Sequence, residues 1–246
     1  MPALTDDSAA VDATSTPRAS LELGQQLKAA GKLAAARAAF EKAMQSTNGF
    51  ERGTAALLLA ELLNEQQDFP AAAHAYEAAL ATGHHEIAPA AAFGLGRLRR
   101  DAGDLDGALA AYNLTLDSEH LRFGGDAANA IGDLLAKRGD RAGARAAYER
   151  ATAFRSDPLA AARGRFRIAE IDYKEGKRDA ALRVLKDLAQ TAPRPVAAAV
   201  AFALGKHLAQ QGKVEEARAA FQQVLESGER FWVDPVNRAL RELGPH

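Results

Sequence analysis

His84, His85 and Glu86 are the side chains in this sequence that most resemble a metal site, because histidine and glutamate both bind zinc. Adjacent side chains point in different directions on a helix or a strand, so these three cannot surround one ion without further ligands. They lie in a predicted turn between two helices, and a solvent-exposed turn accounts for them. His207 lies on a predicted helix, where a packed or solvated histidine accounts for it equally well. The sequence therefore predicts no metal site.

Gly94 and Gly96 form a G-x-G pair, with which some nucleotide-binding turns begin. The third glycine of that fingerprint is absent, since Arg99 takes its place, and helix-forming residues surround the pair. Helix packing is the simpler interpretation of both glycines. No serine lies in a G-x-S-x-G segment, which is the setting of the nucleophile in many hydrolases. Neither phosphate binding nor serine catalysis is therefore predicted.

Carboxylates are numerous, but most fall on helix faces that are predicted to be exposed. General acid catalysis needs a carboxyl group in apolar surroundings, because burial raises its pKa. Asp172 does not fit this pattern, because it stands at a position that is leucine in most copies of a segment that recurs along the chain and should be half-buried. Arg99 is a second charged residue at the same position of the segment. We expect Leu98 and Ile171, one residue earlier, to be buried in their place. No catalytic residue and no cofactor site emerges, so we predict a protein without enzymatic activity.

The composition excludes several further classes of partner. The 246 residues include 31 basic and 32 acidic side chains, and this formal net charge of -1 disfavours nucleic acid. The sequence has no cysteine, which excludes disulfides and thiolate chemistry. The longest apolar run, residues 196–204, is too short to cross a membrane. Residues 1–16 lack the basic and apolar segments of a secretory signal, and we predict a disordered leader and a cytoplasmic protein.

The chain is organised by a segment that recurs six times in one frame, with a period of about 36 residues. A small residue follows an aliphatic one in every copy, at Gly24, Ala60, Gly96, Gly132, Ala169 and Gly205. Seven residues later stands a breaker, usually glycine, at Gly31, Gln67, Gly103, Gly139, Gly176 and Gly212. Glycine allows the left-handed backbone conformation that ends a helix, so the first helix of each copy is predicted to stop there.

A second helix is predicted to follow in each copy. Alanine recurs at Ala36, Ala72, Ala108, Ala144, Ala181 and Ala217. A large side chain stands four residues further on, at Phe40, Tyr76, Tyr112, Tyr148, Leu185 and Phe221. This spacing places both columns on one face of the second helix. A large ring opposite small residues predicts two antiparallel helices that pack closely together.

The six copies resemble the tetratricopeptide repeat (TPR) family over about residues 17–230. The tryptophan that the family usually has four residues before the small residue is replaced by Ser20, Ala56, Ala92, Ala128, Arg165 and Ala201. The repeat is also slightly longer than usual, so we expect the turn between repeats to be extended. The resemblance implies an all-α, right-handed α-solenoid of about six helix–turn–helix repeats.

We expect residues 17–246 to form a single TPR-like domain, with repeats that start near residues 17, 53, 89, 125, 162 and 198. A final helix is predicted over residues 234–243. Asp234 and Pro235 are typical of a helix start, and Val236, Leu240 and Leu243 recur on one face. Because a solenoid must cover the apolar side of its last repeat, this segment is predicted to be a C-terminal capping helix.

The resemblance also implies where a partner would bind, because in TPR-like arrays the first helices line a concave groove that usually holds the ligand. The predicted groove residues are Phe93, Arg97, Arg100, Asn129, Asp133, Phe166, Glu170, Tyr173, Phe202 and Lys206. The aromatic rings among them either anchor a partner or pack between adjacent helices. Asn129 has donor and acceptor groups that suit the backbone of an extended peptide.

Charged residues of this face alternate in sign from one predicted repeat to the next. Glu61, Arg97 and Asp133 form one series. Glu170 and Lys206 form a second pair, because neighbouring helices lie about 8–10 Å apart and long side chains can meet. Asp133 beside Glu170 interrupts the alternation. These two carboxylates are expected to leave an acidic gap that a lysine or arginine of a ligand could fill.

The sequence therefore predicts a scaffold for protein–protein interaction, which holds an extended, mixed apolar and basic segment of a partner in its concave groove. A self-associating structural protein, which would form a homo-oligomer, is the first alternative. An RNA-binding helical repeat is the second, but the net charge and the acidic groove residues disfavour it. No nucleic-acid partner and no membrane partner is expected.

Overall fold

The computed structural model describes residues 16–244, and the predicted leader lies outside these residues except for Thr16. Within them the chain forms thirteen α-helices, a short 3-10 turn at Arg230–Trp232 and no strand. The helices are α1 (Pro17–Ala29), α2 (Leu33–Ala43), α3 (Gly49–Glu65), α4 (Phe69–Ala81), α5 (Ile87–Asp101), α6 (Leu105–Asp117), α7 (Gly124–Lys137), α8 (Arg141–Ala153), α9 (Pro158–Lys174), α10 (Arg178–Thr191), α11 (Arg194–Gln210), α12 (Val214–Glu226) and α13 (Val233–Glu242). This all-helical architecture confirms the fold class that the repeat predicts.

The chain divides into two compact units, one up to Ala127 and one from Ala128, and the division falls within α7. In the first unit α1 packs on α2, α3 on α4 and α5 on α6. In the second unit α8 packs on α9, α9 on α10, α11 on α12 and α12 on α13. Each second helix also packs on the next first helix of its own unit, as in α4 on α5 and α10 on α11. Consecutive helices therefore form the stacked pairs expected of the repeat.

The small-residue column brings a large ring of the second helix against the first helix. A Cβ atom placed on Gly24 would lie 2.6 Å from an atom of the Phe40 ring, and one on Gly205 would lie 2.6 Å from the Phe221 ring. Both rings are buried. A side chain at these glycines would occupy the space of the ring, because protein interiors are close-packed. This contact confirms the predicted packing of small residues against large rings.

The same packing explains the G-x-G pair. Gly94 lies against the ring of Tyr76, and a Cβ atom on Gly96 would lie 2.7 Å from the ring of Tyr112. Both glycines lie inside α5, which is a regular helix from Ile87 to Asp101. Helix packing, and not a phosphate-binding turn, is therefore confirmed as their role.

First helices end at residues in the left-handed region of backbone conformation, as the breaker column predicts. The angle φ is positive at Gly31, Gly103, Gly139, Gly176 and Gly212. Gln67 takes the same place after α3, with a φ of 62°. A residue with a side chain costs about 1–2 kcal/mol in this conformation relative to glycine. Among these first-helix ends, Gln67 is thus the one at which glycine, the favoured residue, is replaced.

We expect Gln67→Gly to raise the free energy of unfolding by about 1 kcal/mol, because glycine adopts this conformation without the steric cost. The preceding Gln66 is a matched control, since it has a φ of -80° in the right-handed helical region. Gln66→Gly should lower the free energy of unfolding by about 0.5–1 kcal/mol through the greater flexibility of the unfolded chain. Urea unfolding followed by circular dichroism measures both changes. A loss of stability in Gln67→Gly would contradict the expected effect.

Arg99 and Asp172 stand at a position where most repeats have leucine. In both repeats the residue just before them is buried in its place. Leu98 and Ile171 are buried, at 8% and 9% exposure. Arg99 remains half-buried, and its Nη2 donates a hydrogen bond to Glu77 Oε1 at 2.8 Å. As expected, Leu98 and Ile171 are therefore the core residues of these two repeats, in place of Arg99 and Asp172.

Asp172 forms ion pairs and is not isolated in apolar surroundings. Its Oδ1 accepts hydrogen bonds from Arg145 Nη2 at 2.7 Å and from Lys177 Nζ at 3.0 Å. Partial burial by itself would raise the pKa of Asp172, but these two hydrogen bonds outweigh it and hold the pKa below its usual range. Asp172 is consequently ionised near neutral pH, which does not suit a general acid.

The final helix covers the apolar end of the second unit. Val236 is fully buried, and Leu240 and Leu243 pack against the same cluster of buried residues on α11 and α12. The helix begins at Val233, one residue before the predicted start. Its apolar face therefore acts as the capping surface that the sequence predicts.

Candidate functional site

Three of the predicted groove residues lie on α5 in the first unit. Phe93 is half-buried, and its ring centroid lies 5.7 Å from the centroids of both Tyr112 and Phe123. Arg97 and Arg100 are exposed. Phe93 therefore packs in part against neighbouring rings, whereas the two arginines face solvent.

Glu61 and Arg97 of the first unit act on the same hydroxyl group. Burial, followed by the negative charge of Glu61, raises the pKa of Tyr76 to about 12, although Arg97 opposes this increase. The ring of Tyr76 lies against Gly94, which places its hydroxyl near the first helices. Tyr76 therefore stays protonated at neutral pH, with Glu61 and Arg97 exerting opposite electrostatic effects on its hydroxyl group.

The other predicted groove residues lie in the second unit, namely Asn129 and Asp133 on α7, Phe166, Glu170 and Tyr173 on α9, and Phe202 and Lys206 on α11. Asn129 is buried, at 7% exposure. Its Nδ2 donates a hydrogen bond to Ala160 O on α9 at 2.9 Å. This bond joins two first helices, so the amide nitrogen is not presented to solvent.

Asp133 is held by two groups of its own unit. Its Oδ1 accepts a hydrogen bond from Tyr148 Oη at 2.7 Å, and Arg167 Nε lies 3.2 Å from the same oxygen. Burial, together with the hydrogen bond to Asp133, raises the pKa of Tyr148 above its usual range. The hydroxyl therefore remains a donor at neutral pH, and the Asp133 carboxylate already has a donor and a counter-charge.

Glu170 pairs with His207, whose Nε2 lies 2.7 Å from Glu170 Oε1. The His207 ring stacks on Tyr173 with a centroid separation of 3.7 Å, and Tyr173 Oη donates to His207 O at 3.3 Å. Burial alone would raise the pKa of Glu170, but the hydrogen bond with His207 and nearby positive charges hold it below its usual range. His207 is therefore a packed residue that joins α9 to α11.

The acidic gap expected from the sequence is closed within the chain. Arg167 pairs with Asp133. The partner of Glu170 is His207, and not Lys206 as the sequence predicts. Lys206 instead places its Nζ 5.9 Å from the centroid of the Phe202 ring. The side chains of Glu170 and His207 are only 22% and 13% exposed, so their pair forms at the helix contact, whereas Lys206 lies on the exposed face.

Aromatic side chains gather at the end of the second unit. The Phe202 ring lies 4.9 Å from the Trp232 ring and 5.7 Å from the buried Phe221 ring. Phe231 meets Trp232 edge to face at 5.2 Å and is 78% exposed. We call Phe202, Phe231 and Trp232, together with Lys206, the terminal aromatic cluster.

Sequence reasoning missed Phe231 and Trp232, because they lie in the 3-10 turn between the last repeat and α13, outside every column of the repeat. A signal was present in the composition, since Trp232 is the one tryptophan of the sequence and Phe231 adjoins it. Phe166, which the sequence does predict, is half-buried against the core of the second unit. The guanidinium of Arg167 lies 5.8 Å from its ring centroid.

Other kinds of site find no support in the part of the chain that the structure describes. The His84 ring stacks on the His85 ring at 4.7 Å and lies tilted to the Phe50 ring at 5.1 Å. Residues 16–244 contain no group of three or more histidine or acidic side chains that could hold a metal ion. Among the same residues, no helix combines the length and apolar character needed to cross a membrane.

Comparison with protein families identifies the family to which the chain belongs. Residues 50–157 match the tetratricopeptide repeat-like domain, and residues 166–230 match the tetratricopeptide repeat. The chain belongs to the tetratricopeptide repeat family. TPR folds generally serve as scaffolds for protein–protein interaction and are typically not enzymes. A comparison with curated protein sequences gives no significant match.

Solved structures of TPR proteins share the fold. The MamA protein aligns with a TM-score of 0.57 and 16% identity, over 71% of this chain and 90% of that protein. YrrB, described as a TPR protein with an unusual peptide-binding site, aligns with a TM-score of 0.54 and 18% identity, over 81% and 97%. The APC/C hetero-tetramer Cut9–Hcn1 aligns with a TM-score of 0.63 and 16% identity, over 94% of this chain and 43% of the matched chain. At these identities the likeness shows the fold alone.

Proposed function

We propose that this chain is a non-enzymatic interaction scaffold that holds an extended segment of a partner protein on the exposed face of its first helices. The observation that carries the proposal is the pair of half-exposed rings Phe166 and Phe202, which lie on successive first helices of the second unit. Aromatic rings supply a large contact area at a low entropic cost, and a few such residues provide most of the binding energy of an interface.

The polar groups around these rings support the same proposal. Asp133 and Glu170 have partners within the unit, and Asn129 is bonded to α9. A partner that covers this face therefore leaves their existing hydrogen bonds intact, which avoids the cost of burying unpaired polar groups. The face is prepared for contact with a partner without rearrangement of its polar side chains.

The descriptions of two proteins with a similar fold mention peptide binding or assembly with other chains. YrrB is described as having a peptide-binding site, and the Cut9–Hcn1 structure is a hetero-tetramer. For the present chain, the proposed contacts in the second unit centre on Phe166 and Phe202. Exposed Arg97 and Arg100 on α5 are the corresponding candidates in the first unit.

Replacing Phe166 by alanine tests this function. A random peptide library displayed on phage is selected on the immobilised chain, and the affinities of the enriched peptides are measured in solution. We expect Phe166→Ala to weaken their binding by about 2 kcal/mol or more, which is about 30-fold. Thermal unfolding of the variant, measured in parallel, separates lost binding from a damaged fold.

The control variant is Phe69→Ala, because Phe69 is 49% exposed at the start of α4, which is a second helix. It should leave peptide affinity unchanged. Equal losses in both variants, or the absence of any enriched peptide, would contradict binding on the first-helix face. Light scattering of the unliganded chain measures self-association, and a stable oligomer that buries Phe166 would support that alternative instead.

A further inference from the structure

The first-helix face of the second unit presents a positive side chain beside the Phe202 ring, whereas the sequence suggests an open acidic gap on this face. The two carboxylates of the expected acidic gap are engaged by Arg167 and His207. Lys206 makes no ion pair with any residue that the structure describes, and its ammonium lies over the Phe202 ring. A ligand that approaches this ring therefore meets an unneutralised cation.

Apolar surface adjoins this cation. The rings of Phe202 and Trp232 lie 4.9 Å apart, and Phe231 extends from Trp232 into solvent with 78% of its surface exposed. Covering an exposed ring is favourable, because apolar surface leaves water. The cluster thus offers an ammonium group and a set of aromatic faces within reach of one short peptide.

We propose that the terminal aromatic cluster binds a peptide segment in which an acidic side chain is next to an aromatic or leucine side chain. The ligand carboxylate pairs with the Lys206 ammonium, and the ligand's apolar side chain packs on Phe202, Trp232 and Phe231. This inference rests on the proposed function and specifies its ligand, since it replaces the basic segment expected from the sequence by an acidic one.

The local charge, and not the net charge, selects this ligand. Glu229 and Asp234 flank Phe231 and Trp232 in the sequence, so a basic ligand is the competing possibility. Asp234 lies in the first turn of α13, where the positive end of the helix dipole offsets a carboxylate. Lys206 is the charged group for which a contact with the Phe202 ring is observed.

Trp232 reports on the cluster directly, because it is the one tryptophan in the sequence. Its fluorescence is followed while the full chain is titrated with three blocked pentapeptides of one length. Their sequences are Glu-Phe-Asp-Leu-Glu, Gln-Phe-Asn-Leu-Gln and Lys-Phe-Lys-Leu-Lys. We expect the acidic peptide to bind about 10-fold more tightly than the neutral one, with an advantage that shrinks as salt screens the charge. Equal or tighter binding of the basic peptide would overturn the inference.

Lys206→Met should remove the advantage of the acidic peptide and leave the affinity of the neutral peptide unchanged. The matched control is Arg183→Met, which removes one positive charge from an exposed position on the second helix α10. An equal loss in the control would mean that long-range charge, and not the cluster, attracts the peptide. Phe231→Ala should weaken all three peptides, because it removes a ring that is 78% exposed and open to contact with a ligand.

The outcome separates this inference from the proposed function. If no pentapeptide changes the fluorescence of Trp232 while library peptides still lose affinity in Phe166→Ala, the terminal aromatic cluster is not the site and the proposed function stands. If library selection also yields no peptide that depends on Phe166, the proposed function fails together with the inference.

Discussion

Gly164→Ala is expected to lower the free energy of unfolding by about 2–3 kcal/mol, because the added methyl group meets the backbone of the neighbouring helix. Gly164 lies inside α9, and a Cβ atom there would be 2.7 Å from Tyr148 O and 3.2 Å from Ala151 Cβ on α8. A carbonyl oxygen cannot rotate away as a side chain does, so α8 and α9 must move apart. This cost exceeds the gain in helix propensity of about 1 kcal/mol that alanine brings.

Gly49→Ala is the control for this substitution. Gly49 is also a helical glycine, at the first position of α3, but no atom lies within 4 Å of a Cβ placed on it. The control should leave stability unchanged or raise it by up to about 1 kcal/mol. Chemical unfolding of both variants measures the difference. A Gly164→Ala protein as stable as the parent would mean that the close approach of α8 and α9 is not needed.

Ala144→Leu is expected to lower the free energy of unfolding by about 1–3 kcal/mol, because it adds volume to a filled contact. Ala144 is fully buried in a cluster with Tyr148 and Ile171, where Leu135 and Ile168 also pack. Close-packed interiors have no space for the larger side chain unless a helix shifts. The additional apolar surface therefore brings strain in place of stabilisation.

Ala142→Leu makes the same chemical change two residues away on α8, at an exposed position. It should cost much less, since its side chain projects into solvent. Melting temperatures from circular dichroism compare the two variants. Equal losses at both positions would show that the buried face of α8 is not the one assigned to it.

Much of the fold could be predicted because helix geometry fixes which residues share a face. The column that contains Gly24 and Gly205 admits the rings of Phe40 and Phe221, as their spacing in the sequence indicates. The ends of first helices follow in the same way from residues in the left-handed conformation, including Gln67. These features depend on positions within one repeat, so the sequence contains the information that they need.

The candidate site could be predicted only in part. The sequence identifies Phe166 and Phe202 on first helices, but it misses Phe231 and Trp232, which lie outside the repeat in a turn of three residues. Their packing on Phe202 depends on how the chain bends between α12 and α13. No periodic pattern describes such a bend, although the one tryptophan of the sequence lies in this segment.

The sequence by itself determined the repeat, the pairing of helices within it, the ends of the first helices and the capping helix, because each of these follows from spacing along the chain. Only the tertiary structure decided which partners the polar side chains take. The sequence places Glu170 opposite Lys206 of the neighbouring repeat, whereas the packing of α11 on α9 brings His207 Nε2 to 2.7 Å from its carboxylate. Long side chains reach several neighbours, so small rotations and shifts between packed helices, which no spacing records, select among them.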